Sequence, residues 1–110
     1  MATSKEYAQY IVEQFGTADV TSRSKMGEYV LYYRGKVFGG LYDNRLLVKI
    51  TVASRRLMPE APEELPYEGA RAMLLVERVE EPNFLRKLVE EMDSELVPHK
   101  TKRKRKIAQK

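Results

Sequence analysis

The sequence predicts a two-layer α+β domain, an antiparallel sheet with flanking helices. Three observations point to it. Residues 29–50, YVLYYRGKVFGGLYDNRLLVKI, read as three strands interrupted only at Arg34-Gly35 and Asp43-Asn44. Those pairs suit two-residue hairpin loops, because Gly and Asn tolerate positive φ. Apolar residues recur at helical spacing near both ends of the chain, which supplies a cover for one side of a sheet. The chain has 110 residues, 43% of them apolar, which suits one domain with a single core.

Taken in order, Thr3 and Glu6 form a capping box, and Tyr7, Ala8, Ile11, Val12 and Phe15 share one helical face. Gly16 can end that helix, predicted over residues 4–15. Residues 20–26, VTSRSKM, suit an edge strand broken by Gly27. With two-residue loops, Leu31 falls opposite Phe38, Val30 opposite Gly39 and Tyr29 opposite Gly40. In the next hairpin Leu41 faces Leu46, Gly40 faces Leu47 and Gly39 faces Val48.

Alternation then puts Val30, Tyr32, Val37, Gly39, Leu41, Leu46, Val48 and Ile50 on one aliphatic side, expected to be the core. Tyr29, Leu31, Tyr33, Lys36, Phe38, Gly40, Tyr42, Arg45, Leu47 and Lys49 fall on the other, aromatic with bases interleaved. On this register Gly39 lets a helix approach, and the Tyr29 ring covers Gly40. A β-bulge at the glycine pair is the alternative, and it would exchange faces on one side of the bulge.

Thr51 can cap two helical turns. Residues 59–69, PEAPEELPYEG, hold three prolines and four glutamates, so they read as an extended strap packing Leu65 and Tyr67 along the surface. Residues 72–76 form a buried-type strand. Pro82 suits the first position of a last helix, whose stripe is Phe84, Leu85, Leu88, Val89, Met92 and Leu96. Arg86–Glu90 and Lys87–Glu91 are i,i+4 pairs worth about 0.3 kcal/mol each.

Charge divides the chain. Residues 98–110 carry seven Lys/Arg and no acid, leaving 13 basic and 16 acidic residues in 1–97, net −3. We therefore expect a domain over 1–97 and a basic, disordered tail over 98–110.

The ordered series KMGEYVLYYRGKVFGGLYDNRLLVK, then MPEAPEELPYEGARAMLLVE, resembles the N-terminal domain of the TfoX/Sxy family over roughly residues 4–105. The matching features are the Met-Gly-Glu-Tyr entry, the Gly turn, the Asp-Asn turn, the Leu-x-Val-Lys strand and the YEGA element. The resemblance implies a secretion-chaperone-like α+β sheet domain and a link to transcription and competence regulation in bacteria. It brings no catalytic residue. Lys25 departs from the usual apolar residue there. The second, all-helical domain of the competence regulators has no counterpart in these 110 residues.

Chemistry is sparse. No Cys is present, and the only His, His99, sits in the basic tail. The serines lack a histidine partner. Glu60, Glu63, Glu64 and Glu68 lack calcium-loop spacing and read as solvated acids. GKVFGG lies in a hairpin rather than before a helix, so it is no phosphate loop. The expectation is a non-enzyme with no cofactor and no metal. The longest apolar run, AMLLV, is too short for a membrane span, so a cytoplasmic protein with no membrane partner is expected.

Two binding features remain. The aromatic-basic face, with Tyr29, Tyr33, Phe38, Tyr42, Arg45 and Leu47, suits a protein partner or a second copy first. Internal cover ranks second and nucleic-acid stacking third. The tail, with Lys100, Lys102, Arg103, Lys104, Arg105 and Lys106, suits nonspecific nucleic-acid binding as an alternative function. A small-ligand or enzymatic site at the Pro/Glu strap is a further alternative. If the tail engages about six phosphates, log affinity for duplex DNA falls with log salt at a slope of about −5. A chain ending at Val97 then loses binding. A full chain that binds no DNA at low salt leaves the tail as a solubility device.

Overall fold

Three tight turns organise the chain, each with two consecutive residues at positive φ: Met26-Gly27 (52° and 88°), Arg34-Gly35 (53° and 80°) and Asp43-Asn44 (55° and 58°). Paired positive φ values are the signature of hairpin turns whose twist matches that of the flanking strands. They join β1 (Val20–Lys25), β2 (Glu28–Tyr33), β3 (Lys36–Tyr42) and β4 (Arg45–Val48) into a meander. Two further strands, β5 (Glu63–Glu64) and β6 (Met73–Leu75), complete an antiparallel sheet of order β1-β2-β3-β4-β6-β5. The computed structural model describes residues 3–97. The tail residues Lys100, Lys102, Arg103, Lys104, Arg105 and Lys106, and His99, lie outside them.

Helices α1 (Lys5–Gln14) and α3 (Pro82–Met92) cover one side of the sheet, with the short α2 (Val52–Leu57) packed against α3. Ile11 and Phe15 from the first helical segment meet Leu85, Leu88, Val89 and Met92 over the sheet's Leu31, Phe38, Leu41, Leu46, Val48 and Leu74. The fold is therefore the two-layer α+β arrangement the sequence predicts, with one strand more.

The second hairpin has the predicted register: Leu41 opposite Leu46, Gly40 opposite Leu47 and Gly39 opposite Val48. The first does not. Leu31 pairs with Gly39 but Tyr32 with Val37, so Phe38 is an extra residue in β3. This bulge exchanges faces in β2 and the first half of β3. Leu31, Tyr33 and Phe38 turn in under the helices, where Phe38 meets the Phe15 ring edge-on at 5.6 Å. Val30, Tyr32 and Val37 turn out and are only half-buried. The bulge lets the larger apolar side chains of both hairpins reach one core.

The glycines acquire different reasons from those predicted. A Cβ on Gly39 would meet backbone, lying 2.9 Å from the Val48 Cα and closer still to the Leu47 carbonyl oxygen. Gly39 thus admits strand β4 rather than a helix. A Cβ on Gly40 would meet the Tyr42 ring at 2.6 Å, so Tyr42 rather than Tyr29 lies across the bare backbone.

The ends of the helices also differ. Ser4, not Thr3, caps α1, accepting from the Tyr7 N–H at 3.1 Å. Thr3 belongs to a cluster at one end of the sheet. Its hydroxyl donates to Glu28 Oε1 at 2.8 Å and accepts from the Asn44 N–H at 3.1 Å. Glu28 Oε1 also accepts from the Asp43 N–H at 3.1 Å. One carboxylate therefore ties the chain's start to the β3–β4 turn. On α3, Glu91 reaches Arg56 of α2 at 2.7 Å rather than Lys87.

Substitutions at two glycines separate close approach from turn strain. Gly39→Ala forces backbone apart and costs about 3 kcal/mol. Gly35→Ala meets nothing within 4 Å and suffers only its positive φ of 80°, a cost of about 1–2 kcal/mol. Urea titrations should rank them in that order, and the reverse order contradicts the close approach of β4 at Gly39.

Candidate protein-binding face

The six residues predicted to share an exposed aromatic face are divided by the bulge. Tyr33 and Phe38 are buried on the helix side, at 8% and 0% exposure. Tyr29 is half-buried and packs against the same cluster. Leu47 lies on the outer side yet is fully buried. Only Tyr42 and Arg45 remain on the outer side with part of their surface exposed. The predicted docking face is thus largely core and internal cover, because one extra residue in β3 turns Tyr33 and Phe38 inward.

Arg45 has a structural task. Its guanidinium donates to Glu64 Oε1 at 2.6 Å, to the Leu65 carbonyl at 3.3 Å and to the Tyr42 carbonyl at 3.0 Å. Arg55 of α2 holds the neighbouring Glu63 at 2.6 Å. Successive strand residues point to opposite faces, so two adjacent glutamates reach two arginines on opposite sides of β5. Glu63 and Glu64 are therefore ion-paired clamps of the strap rather than solvated acids. Each exposed pair contributes about 1 kcal/mol or less, but together they fix where the strap returns. Among the described residues no group of three His, Asp or Glu side chains is placed to hold a metal ion.

Beyond β5 the chain folds back over the outer side of the sheet. Tyr67 comes to rest 6.2 Å from the Tyr42 ring at 58°. Between strap and sheet lies a groove of about 620 Å³, walled by Val37, Ile50, Pro66, Tyr67 and Met73, with Tyr42 at its floor. Ile50 is 43% exposed and Tyr67 64%. Lys49 and Arg71 line the same groove. Among the described residues neither forms an ion pair, whereas Arg34, Arg45, Arg55, Arg56 and Arg78 all do. The sequence places Tyr42 on the expected binding face and Pro66 and Tyr67 in the Pro/Glu strap, the alternative small-ligand site; it points to none of the other groove residues. Val37 and Ile50, which strict alternation assigns to the core, line the groove instead, and Tyr67 lies along the surface as the strap reading expects. The Pro66-Tyr67 pair within the strap was the one available signal.

Burial raises the Tyr42 hydroxyl above its ordinary pKa of 10.0, and the nearby Tyr67 and Glu28 raise it further. Tyr7 is shifted the same way by burial and by Tyr10.

Fold and groove define a small α+β domain with one sheet side roofed by helices and the other bordered by a clamped strap. No protein-family model and no solved structure matches the chain. A protein of Spirochaeta aurantia described as "Uncharacterized 12.7 kDa protein in trpE 5'region" is 39% identical over 87 residues, which span 76% of this chain and 76% of the relative. The chain belongs to that protein's family. Among the described residues no helix is long and apolar enough to cross a membrane.

A tyrosine whose folded pKa is raised favours the fold below its unfolded value of 10.0 and loses that contribution as pH rises through the folded value. Stability should therefore fall above pH 10 less steeply in Tyr42→Phe than in the parent, with Tyr7 leaving a residual slope. Urea midpoints measured at neutral and alkaline pH check this. Parallel pH profiles in the two proteins contradict a partly buried Tyr42 hydroxyl.

Proposed function

We propose that this protein is a non-enzymatic, cytoplasmic interaction module of the TfoX N-terminal type, with a secretion-chaperone-like sheet. It docks a protein partner in the groove between strap and outer sheet face. The observation that supports this reading is the groove itself: apolar and aromatic walls beside two cations, Lys49 and Arg71, that pair with no acid among the described residues. Aromatic and arginine side chains around a partly desolvated depression are the usual anchors of a protein interface. The chemistry fits a partner that presents a carboxylate next to an aromatic or aliphatic side chain. A second copy would bring the same two cations to the contact, which disfavours it.

A photo-crosslinking residue at position 67 of the full chain tests this in cells. A defined protein adduct that disappears in Lys49→Glu/Arg71→Glu is the expected result. Both of those side chains reach solvent, so the variant should melt with the parent. An absent adduct, an adduct only with itself, or one that survives charge reversal overturns the docking site. Sedimentation at two widely separated concentrations identifies the self-association case independently.

A further inference from the structure

The two edges of the sheet are unlike. At one edge β5 has only two residues and sits between Pro62 and Pro66. At the other, β1 has six residues, no proline, and five consecutive exposed positions. Natural sheets shorten, cover or interrupt such edges because their open N–H and C=O groups template pairing with another strand. Here one edge is closed, and among the described residues no strand pairs with the other.

The alternation of β1 adds detail. In a two-residue hairpin the residues flanking the loop form a hydrogen-bonded pair, which makes Lys25 and Glu28 such a pair. Thr21, Arg23 and Lys25 then bond into β2, and Ser22 and Ser24 turn their backbone groups outward. Ser22 and Ser24 lie opposite Leu31 and Tyr29, on the helix side. Their small side chains leave a groove of about 750 Å³ between β1 and α1, with Ala8, Val12 and Tyr29 as its apolar surface. Arg23 and Lys25, opposite Val30 and Glu28, project from the outer side.

We propose that the β1 edge accepts an extended segment of another protein as a seventh strand. Every second side chain of that segment is apolar and enters the groove under α1. The intervening side chains are acidic and face Arg23 and Lys25. The charge pattern selects this occupant. A second copy pairing β1 with β1 would set Arg23 and Lys25 against their own counterparts on one face, and like charges across strands repel. The chain's own basic tail fails for the same reason. This edge is separate from the groove beside the strap, so either site can stand without the other.

The test is titration of the labelled full-length protein with a blocked peptide of about eight residues alternating valine and glutamate, beside a valine–lysine control. We expect saturable binding of the glutamate peptide and slowed hydrogen exchange at the Ser22 and Ser24 amides. Ser24→Pro removes one outward N–H at an edge position where proline is tolerated, and should weaken binding by about tenfold or more. Arg23→Glu/Lys25→Glu touches only exposed side chains and should switch preference to the lysine peptide. That variant decides the question if Ser24→Pro disturbs the fold. No saturation, equal binding of both peptides, or exchange protection confined to Tyr67 and Ile50 overturns the proposal.

Discussion

A single inserted residue, Phe38, governs how the sheet meets the helices. The two hairpins on either side of Gly39 each carry a good apolar face, but without a bulge those faces would point in opposite directions. The extra residue brings Leu31 and Tyr33 onto the same side as Leu41, Leu46 and Val48. Because Phe38 then points at Phe15, the two helices have one continuous surface to cover. The outward turn of Val30 and Val37, which puts Val37 in the wall of the outer groove, follows from that local irregularity.

Long-range polar contacts hold the remaining pieces to this frame. Glu28 joins the start of the chain to the β3–β4 turn. Glu95 accepts the Val52 and Ala53 N–H groups at 2.8 and 2.9 Å, capping α2 from a 3-10 turn (Asp93–Glu95) that follows α3. Asp93 in that turn pairs with Lys36, so the β2–β3 hairpin is tied to the end of α3. Arg45 and Arg55 clamp β5 from two sides. Apart from Arg55–Glu63, these contacts span elements distant in sequence, and each involves a carboxylate placed against open N–H groups or a cation.

Much of the architecture was legible from the residues. Arg34-Gly35 and Asp43-Asn44 announce their turns because few residues accept positive φ, and the second hairpin's register follows from loop length alone. Helical periodicity placed both long helices, and Pro82 marked where the last begins. The candidate site was much less legible. A bulge leaves no pattern of its own beyond an awkward glycine pair, and a slip of one residue exchanges every side chain between faces. The partners of Glu28, Glu63, Glu64 and Glu95 lie between eight and 43 positions away, beyond any local spacing rule. That is why acids that look solvated in the sequence prove to be fastenings.

The placement of the helices has a consequence for synthesis on the ribosome. The four-strand meander, residues 20–48, is built from local contacts and can close as soon as it emerges. Its apolar side, however, is roofed by α1, made before it, and by α3, which ends at Met92. Until that last helix leaves the exit tunnel, the nascent sheet carries an uncovered hydrophobic surface beside an open edge strand. The vulnerable interval is set by the stretch between Val48 and Pro82, whose strap and clamps must be translated before the roof can be completed.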